Sequence, residues 1–196
     1  AHFLKNHIVE ANTSWQNDLP YVIEGGMLVK EGVTLTIEKG CRIFMHANAP
    51  LIVDGSLVVN GTKTDSVTFQ GDRLDKGYRD LPASWPGIIF RSESHSNHIT
   101  YAIIKNAYQA IISAGPSGNA LPKLRLSECV FDNIYDIGVW GAGTSISAVN
   151  CLVSNCGANI ILEGGGSYNF THCTVASYGN AFIEHKRPVI LINNTD

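Results

Sequence analysis

Three cysteines divide the second half of the sequence into equal intervals, and this repeat constrains the fold more than any other feature. Cys129, Cys151 and Cys173 are evenly spaced along the chain. The residues around them align in one register, together with an earlier segment: TYAIIKN (100–106), SECVFDN (127–133), VNCLVSN (149–155) and THCTVAS (171–177). A fixed period of this kind is typical of stacked structural units that contact only their neighbours.

Within each repeat, every second residue belongs to a set that is mostly small or apolar, and the residues between them are mostly polar. This alternation is the pattern of a β-strand with one buried face. Each unit is about 22 residues long, which leaves little room for a helix beside its strands. The same interval separates GVTLTIEKG (32–40) from DGSLVVNGT (54–62), so the repeat extends beyond the cysteines. We therefore predict an all-β fold, a right-handed parallel β-helix of about seven turns.

Counting in twos places two columns of residues inside this coil, where successive turns stack at ~4.8 Å. One column is a cysteine ladder, and the other is an asparagine ladder that satisfies buried turn groups: Cys129, Cys151 and Cys173; Asn106, Asn133 and Asn155. The five cysteines form no CxxC pair. We therefore predict buried free thiols, no metal site and no cofactor.

A second inward strand is predicted in each unit, at a fixed offset after the asparagine column. Aliphatic residues recur at this offset, namely Ile112, Val139, Ile161 and Ile183. The repeat is therefore expected to continue through Ile183.

The opposite face of the repeat is predicted to meet solvent. Its column contains Tyr101, Glu128, Asn150 and His172. Glu128 and His172 are two turns apart, about 10 Å. Tyr101, Glu128 and His172 are therefore candidates for binding, but they do not form the paired carboxylates of a glycosidase.

A charged segment interrupts the repeat at 70–87, with the sequence QGDRLDKGYRDLPASWPG. Loops of this length are uncommon in compact arrays unless they are functional or packed against the core. Its candidate binding residues are Asp72, Asp75, Tyr78, Arg79 and Asp80. A set of surface ion pairs that satisfy one another is the alternative interpretation.

The ends of the sequence differ from the repeat. Residues 1–20 are predicted to be a lead-in strand and loop, and the coil is predicted over 21–196. The last segment, ILINNTD, begins another strand with Ile192 in phase with Ala148 and Phe170. A coil that stops there exposes its core, so the chain is expected to be a fragment of a longer protein.

The paired 32–40 and 54–62 units, SWPGIIF at 84–90 and the cysteine repeats resemble the parallel β-helix domains of uncharacterised Bacteroidota cell-envelope lipoproteins. The resemblance covers nearly the whole chain. It implies an outer-membrane or cell-surface location. Members have no assigned reaction, so the resemblance implies no catalytic residue.

Charge and hydropathy narrow the possible partners. A net charge of −3 without basic runs argues against nucleic acid, and no apolar stretch is long enough to cross a membrane. We expect a non-enzymatic binding or scaffold domain whose partners are glycans or outer-membrane or surface proteins, including service as an accessory subunit of an outer-membrane complex. The alternative is a carbohydrate-active enzyme, either a polysaccharide lyase or a glycoside hydrolase.

Overall fold

The computed structural model describes residues 1–194, and these residues form seventeen β-strands and no helix. The strands are β1 (His2–Val9), β2 (Thr13–Trp15), β3 (Tyr21–Val29), β4 (Thr34–Glu38), β5 (Arg42–Met45), β6 (Leu51–Val53), β7 (Ser56–Asn60), β8 (Val67–Gly71), β9 (Ile88–Phe90), β10 (Asn97–Thr100), β11 (Ala102–Lys105), β12 (Ile111–Ala114), β13 (Leu124–Ser127), β14 (Val130–Val149), β15 (Leu152–Thr171), β16 (Thr174–Ala176) and β17 (Ile190–Asn193).

Each turn of the coil adds strands to three faces. The first face stacks the starts of β1 and β3, then β5, β8, β11, the starts of β14 and β15, and β16. The second stacks the ends of β1 and β3, then β6, β9, β12, the middles of β14 and β15, and β17. The third stacks β2, β4, β7, β10, β13 and the ends of β14 and β15. All these pairings are parallel, which confirms the parallel β-helix.

Equivalent inward residues stack from turn to turn and form one continuous core. On the first face, Ile104 pairs with Phe131 and Phe131 with Val153, and all three side chains are buried. The same apolar cluster extends from Val9 to Leu162. Burial of these ladders is the main source of stability, because each turn covers the apolar edge of the turn before it.

Both predicted ladders are confirmed. Cys129 and Cys151 are buried, Cys173 is partly buried, and all five cysteines are free thiols. Asn133 Nδ2 donates to Asn106 Oδ1 at 2.9 Å, and Asn155 Nδ2 donates to Asn133 Oδ1 at 3.3 Å. The asparagines lie at the corner between the first and second faces, which we call the asparagine corner.

The coil begins earlier than predicted. Residues 1–20 are not only a lead-in, because β1 pairs with β3 and β2 pairs with β4 in the register of later turns. Trp15 is buried and stacks on Tyr21 with ring centroids 4.2 Å apart. The first turn therefore belongs to the core, and the predicted start at Tyr21 is wrong.

The predicted outward column lies at a corner rather than on a flat strand. Its members have left-handed backbone conformations: Tyr101 (φ 45°), Glu128 (φ 57°), Asn150 (φ 53°) and His172 (φ 53°). Each separates a third-face strand from the following first-face strand. We call this the Tyr101 corner. Two successive residues face away from the core at each bend, such as the exposed Val149 and Asn150, so the inward and outward alternation shifts by one residue there.

The last described turn is longer than the turn before it. Trp140 pairs with Ile161 one turn on, whereas Ile161 pairs with Leu191, which lies considerably further along the chain. Leu162 likewise pairs with Ile192. Ile192 therefore belongs to the second face, and its predicted phase with Ala148 and Phe170 on the third face is wrong. The additional residues form a loop between β16 and β17.

Candidate functional site

The two longest segments without strands leave the coil at the same corner. The upper loop (72–87) joins β8 to β9, and the lower loop (177–189) joins β16 to β17. Both connections run from the first face to the second. The two loops therefore approach the asparagine corner from opposite ends of the asparagine ladder.

Backbone carbonyls of the upper loop bind the asparagine ladder. Asn106 Nδ2 donates to the Arg79 carbonyl at 2.7 Å, and Asn133 Nδ2 donates to the Asp80 carbonyl at 2.9 Å. Trp85 is buried at the end of the loop, and its Nε1 donates to the Lys105 carbonyl at 3.0 Å. The upper loop is thus fixed to the coil along two turns.

The lower loop extends the ladder from the other end. Asn180 Nδ2 donates to Asn155 Oδ1 at 3.1 Å, so Asn180 takes the next place in the column. The side-chain oxygen of Asn180 accepts from Phe182 N and Ile183 N, both at 2.8 Å. Ile183 is buried beneath the loop. The predicted strand position at Ile183 is wrong, although the residue is buried.

Two tyrosines form an exposed stack between the loops. Tyr108 and Tyr135 follow Asn106 and Asn133 at the same offset and occupy adjacent turns. Their ring centroids are 5.6 Å apart with an interplanar angle of 27°, and the residues are 46% and 48% exposed. Aromatic faces left open to solvent on a rigid scaffold are typical of binding surfaces.

A cleft of about 400 Å³ opens beside Tyr135. The equivalent position one turn on is Gly157, where an added Cβ would lie 2.5 Å from the Tyr135 carbonyl oxygen. Only glycine fits there, because a Cβ would collide with the backbone of the preceding turn. Phe182 of the lower loop also lines the cleft.

Charged groups at the rim of the cleft are arranged in pairs. Asp136 Oδ1 accepts from Arg187, and Asp136 Oδ2 accepts from Gln109 Nε2 at 2.7 Å. Glu184 and Lys186 form a second, more exposed ion pair. The Asp136 carboxylate therefore holds the lower loop in place, and the four charges sum to zero.

The predicted residues of the upper loop do not converge on a cleft. Asp72 pairs with His46 Nδ1 at 2.7 Å, Arg73 pairs with Asp75 at 2.8 Å, and Arg79 pairs with Asp80 at 3.1 Å. The guanidinium of Arg73 lies 3.9 Å from the centre of the Tyr78 ring. These side chains form the mutually satisfied ion pairs of the alternative interpretation, and the loop contacts the ladder through its backbone.

The other predicted residues lie on a different corner. Glu128 Oε1 accepts from Asn150 Nδ2 at 2.8 Å at the Tyr101 corner, while His172 is exposed and Tyr101 is half-buried. The first face separates this column from the tyrosine stack. The predicted binding residues therefore lie in two separate places, the Tyr101 corner and the upper loop. Neither group lines the cleft beside Tyr135.

Sequence reasoning did not select Tyr108, Tyr135, Asp136 or Arg187. A signal existed for the tyrosines, because both follow a ladder asparagine at the same offset that Gly157 has from Asn155. No sequence signal indicated the contact of Arg187 with Asp136, because the two residues lie in turns that are far apart along the chain.

Two of the other cavities, both larger than this cleft, have weaker chemistry for a ligand. A cavity of about 860 Å³ contains Asp54, but both Asp54 oxygens accept from Arg91. An apolar cavity of about 460 Å³ lies at the end of the coil beside Phe170 and Ile192.

Within residues 1–194, no group of three or more His, Cys, Asp or Glu residues has the arrangement needed to hold a metal ion. Among the same residues, there is no helix long and apolar enough to span a membrane.

Comparisons of the chain with protein families, with curated proteins and with solved structures found no match.

Proposed function

We propose that this chain is a non-enzymatic cell-envelope domain that binds glycans at the asparagine corner. One observation carries the proposal: the two longest loops converge on this corner and frame the exposed Tyr108–Tyr135 stack. The stack supplies an apolar aromatic surface, and the paired groups beside it supply hydrogen-bond donors and acceptors. This combination matches a sugar ring, which has apolar C–H faces and a rim of hydroxyl groups.

The surface is preorganised by its attachment to the coil. The upper loop is held by Asn106 and Asn133, and the lower loop by Asn155 and the Asp136–Arg187 pair. Binding to such a surface orders few additional groups, which lowers its entropic cost. Weak contacts with individual sugar rings can then give measurable affinity.

The size of the cleft favours a glycan over a protein partner. A volume of about 400 Å³ is within the range of small-ligand sites. A stable protein interface requires about 800 Å² from each partner, usually with a well-packed apolar centre. The exposed aromatic surface at this corner consists of isolated rings separated by ion pairs, which is a wetter and more polar arrangement.

Binding to a glycan array tests this proposal directly. We expect the wild-type chain to bind, and the Tyr108→Ala/Tyr135→Ala double variant to lose binding. Tyr78→Ala is the matched control, because Tyr78 is similarly exposed but lies on the upper loop under Arg73. Equal binding by the double variant and the control would contradict the proposed surface.

Affinity isolation of the protein from its native envelope tests the location and the alternative partner class. The resemblance to envelope lipoproteins supports a position at the outer membrane or cell surface. Stoichiometric recovery of outer-membrane proteins would identify an accessory subunit of a protein complex instead of a glycan-binding domain.

A carbohydrate-active enzyme is the second candidate, because Asp136 and Glu184 line one cleft. A glycosidase requires two carboxylates on either side of the scissile bond. Both carboxylates here are engaged by cations, Arg187 and Lys186, which favours a structural role. Release of reducing sugars from a bound glycan, lost in Asp136→Asn, would support the enzyme.

A further inference from the structure

The stacked tyrosines leave one aromatic face without a neighbour. Tyr108 covers one face of the Tyr135 ring, with centroids 5.6 Å apart. The opposite face is directed toward the next turn of the coil, where Gly157 has no side chain. The aromatic column therefore ends at an open ring face inside the cleft, and not at another residue.

Gly157 cannot be filled from within the chain. Its added Cβ would also lie 2.8 Å from the Asp136 carbonyl oxygen, so any side chain there would force the backbone of two turns apart. Turns of a parallel coil stack at ~4.8 Å, which is within the centroid separations of about 4.5–7 Å that stacked rings adopt. The space between Tyr135 and the lower loop is thus suited to a single ring at the level of Gly157.

The part of the cleft lining that comes from the lower loop is held in a fixed position. Phe182 is 56% exposed, and its backbone N–H donates to the Asn180 side chain at 2.8 Å. Asn180 is itself bound to Asn155 of the ladder. A ring stacked on Tyr135 in the cleft would therefore meet a lining whose lower-loop part is anchored to the coil.

The charges around the cleft compensate one another. Arg187 bonds to Asp136, Lys186 bonds to Glu184, and Gln109 occupies the remaining Asp136 oxygen. A carboxylated ligand would find no unpaired cation among these groups. An amino sugar would find no unpaired carboxylate, so an uncharged ring with hydroxyl groups has the best complementarity.

We propose that this cleft, which we call the Tyr135 slot, binds one uncharged pyranose ring stacked on the free face of Tyr135. The inference rests on the proposed function and specifies its ligand class. The ring stacks on Tyr135 at the level of Gly157, where the chain supplies no third aromatic side chain. Its hydroxyl groups exchange hydrogen bonds with the polar rim at Asp136 and Arg187.

An array of neutral gluco-, manno- and galacto-oligosaccharides, with uronic-acid oligosaccharides beside them, tests the slot. We expect at least one neutral glycan to bind in preference to the acidic ones. Tyr135→Ala should weaken that binding about tenfold or more, whereas Tyr135→Phe should stay within about twofold, because the ring face is retained. Tyr108→Ala, which leaves the slot lining intact, should weaken binding less than Tyr135→Ala.

A blocking variant separates ligand contact from folding. Ala181 is exposed and lines the slot, so Ala181→Trp should fill it and abolish binding while the thermal unfolding midpoint stays unchanged. Binding that survives Ala181→Trp but is lost in the double tyrosine variant would overturn the slot and leave the proposed glycan surface standing. Preference for acidic glycans would also overturn the slot. Absence of binding to every glycan would overturn both.

Discussion

At the scale of single residues, the left-handed backbone conformation determines where the coil turns. The asparagine ladder uses it at Asn106 (φ 61°), Asn133 (φ 57°) and Asn155 (φ 48°). Asparagine tolerates this conformation better than most residues, and its side chain bonds to the turns above and below. The Tyr101 corner uses the same conformation at Asn150 and His172 but also at Tyr101 and Glu128, which tolerate it less well, at about 1–2 kcal/mol each. Backbone hydrogen bonds maintain it there, including Glu128 N to the Val149 carbonyl at 3.0 Å.

Replacement of Asn133 by Ala should lower the free energy of unfolding by about 1–3 kcal/mol more than replacement of Asn150. Both asparagines are left-handed, so the backbone cost of alanine is shared. Asn133 bonds to ladder asparagines in both neighbouring turns and to the Asp80 carbonyl, whereas Asn150 makes one exposed contact, with Glu128 of the preceding turn. Urea denaturation of the two variants measures the difference. An equal loss of unfolding free energy in the two variants would mean that the hydrogen bonds of the asparagine ladder add no stability beyond the preference of asparagine for the left-handed conformation.

At the scale of elements, the two loops differ in how visible they are in the sequence. The upper loop interrupts the repeat with a run of charges, prolines and tryptophan and is recognisable for that reason. The lower loop contains Ile183 at the offset where earlier turns place a strand, so the sequence pattern continues through it. In the structure, the strand that pairs with the middle of β15 is β17, which comes after the lower loop. Ile183 lies within the loop and is buried there.

The Asp136–Arg187 pair should determine the local stability of the lower loop. Asp136 and Arg187 have side chains that are 21% and 41% exposed, so the pair is partly shielded from solvent. Arg187→Ala should speed amide hydrogen exchange over 178–188 by about 5-fold to 30-fold, as expected for a loss of about 1–2 kcal/mol, without changing β14.

Lys186→Ala is the control for this effect. Lys186 is adjacent in sequence and pairs with Glu184, but both side chains are at least 70% exposed. A pair of this kind contributes little to stability. Similar exchange rates in the two variants would contradict a specific anchoring role for Arg187.

At the scale of the whole molecule, burial of thiols and phenols makes stability depend on alkaline pH. Burial raises the pKa of Cys156 to about 12, and it raises the pKa of Cys41, Cys173, Tyr21 and Tyr168. The unfolded chain releases a cysteine proton near pH 8.5, while the folded chain keeps it. Below that pH both states hold the proton, and above it the folded state is progressively disfavoured.

We therefore expect the free energy of unfolding to fall as the pH rises from about 8.5 toward 12, by at most ~1.4 kcal/mol per pH unit for Cys156. Lys123 acts in the opposite direction, because its burial lowers its pKa and the folded state releases that proton first. Urea denaturation at several pH values under reducing conditions measures the slope. Cys156→Ala should reduce it, and a slope unchanged by this substitution would contradict the assignment.

The sequence by itself determined the parallel coil, the inward cysteine and asparagine columns and the position of the upper loop. These features follow from alternation and a fixed period, because a stacked turn repeats the environment of the turn before it. The Tyr101 corner escaped detection because counting in twos carries the alternation straight through the bend, whereas the structure shifts it there by one residue. Only the tertiary structure decided that Tyr108, Tyr135, Asp136 and Arg187 surround one cleft. Their convergence depends on where the lower loop (177–189) folds back, and neither period nor alternation encodes that path.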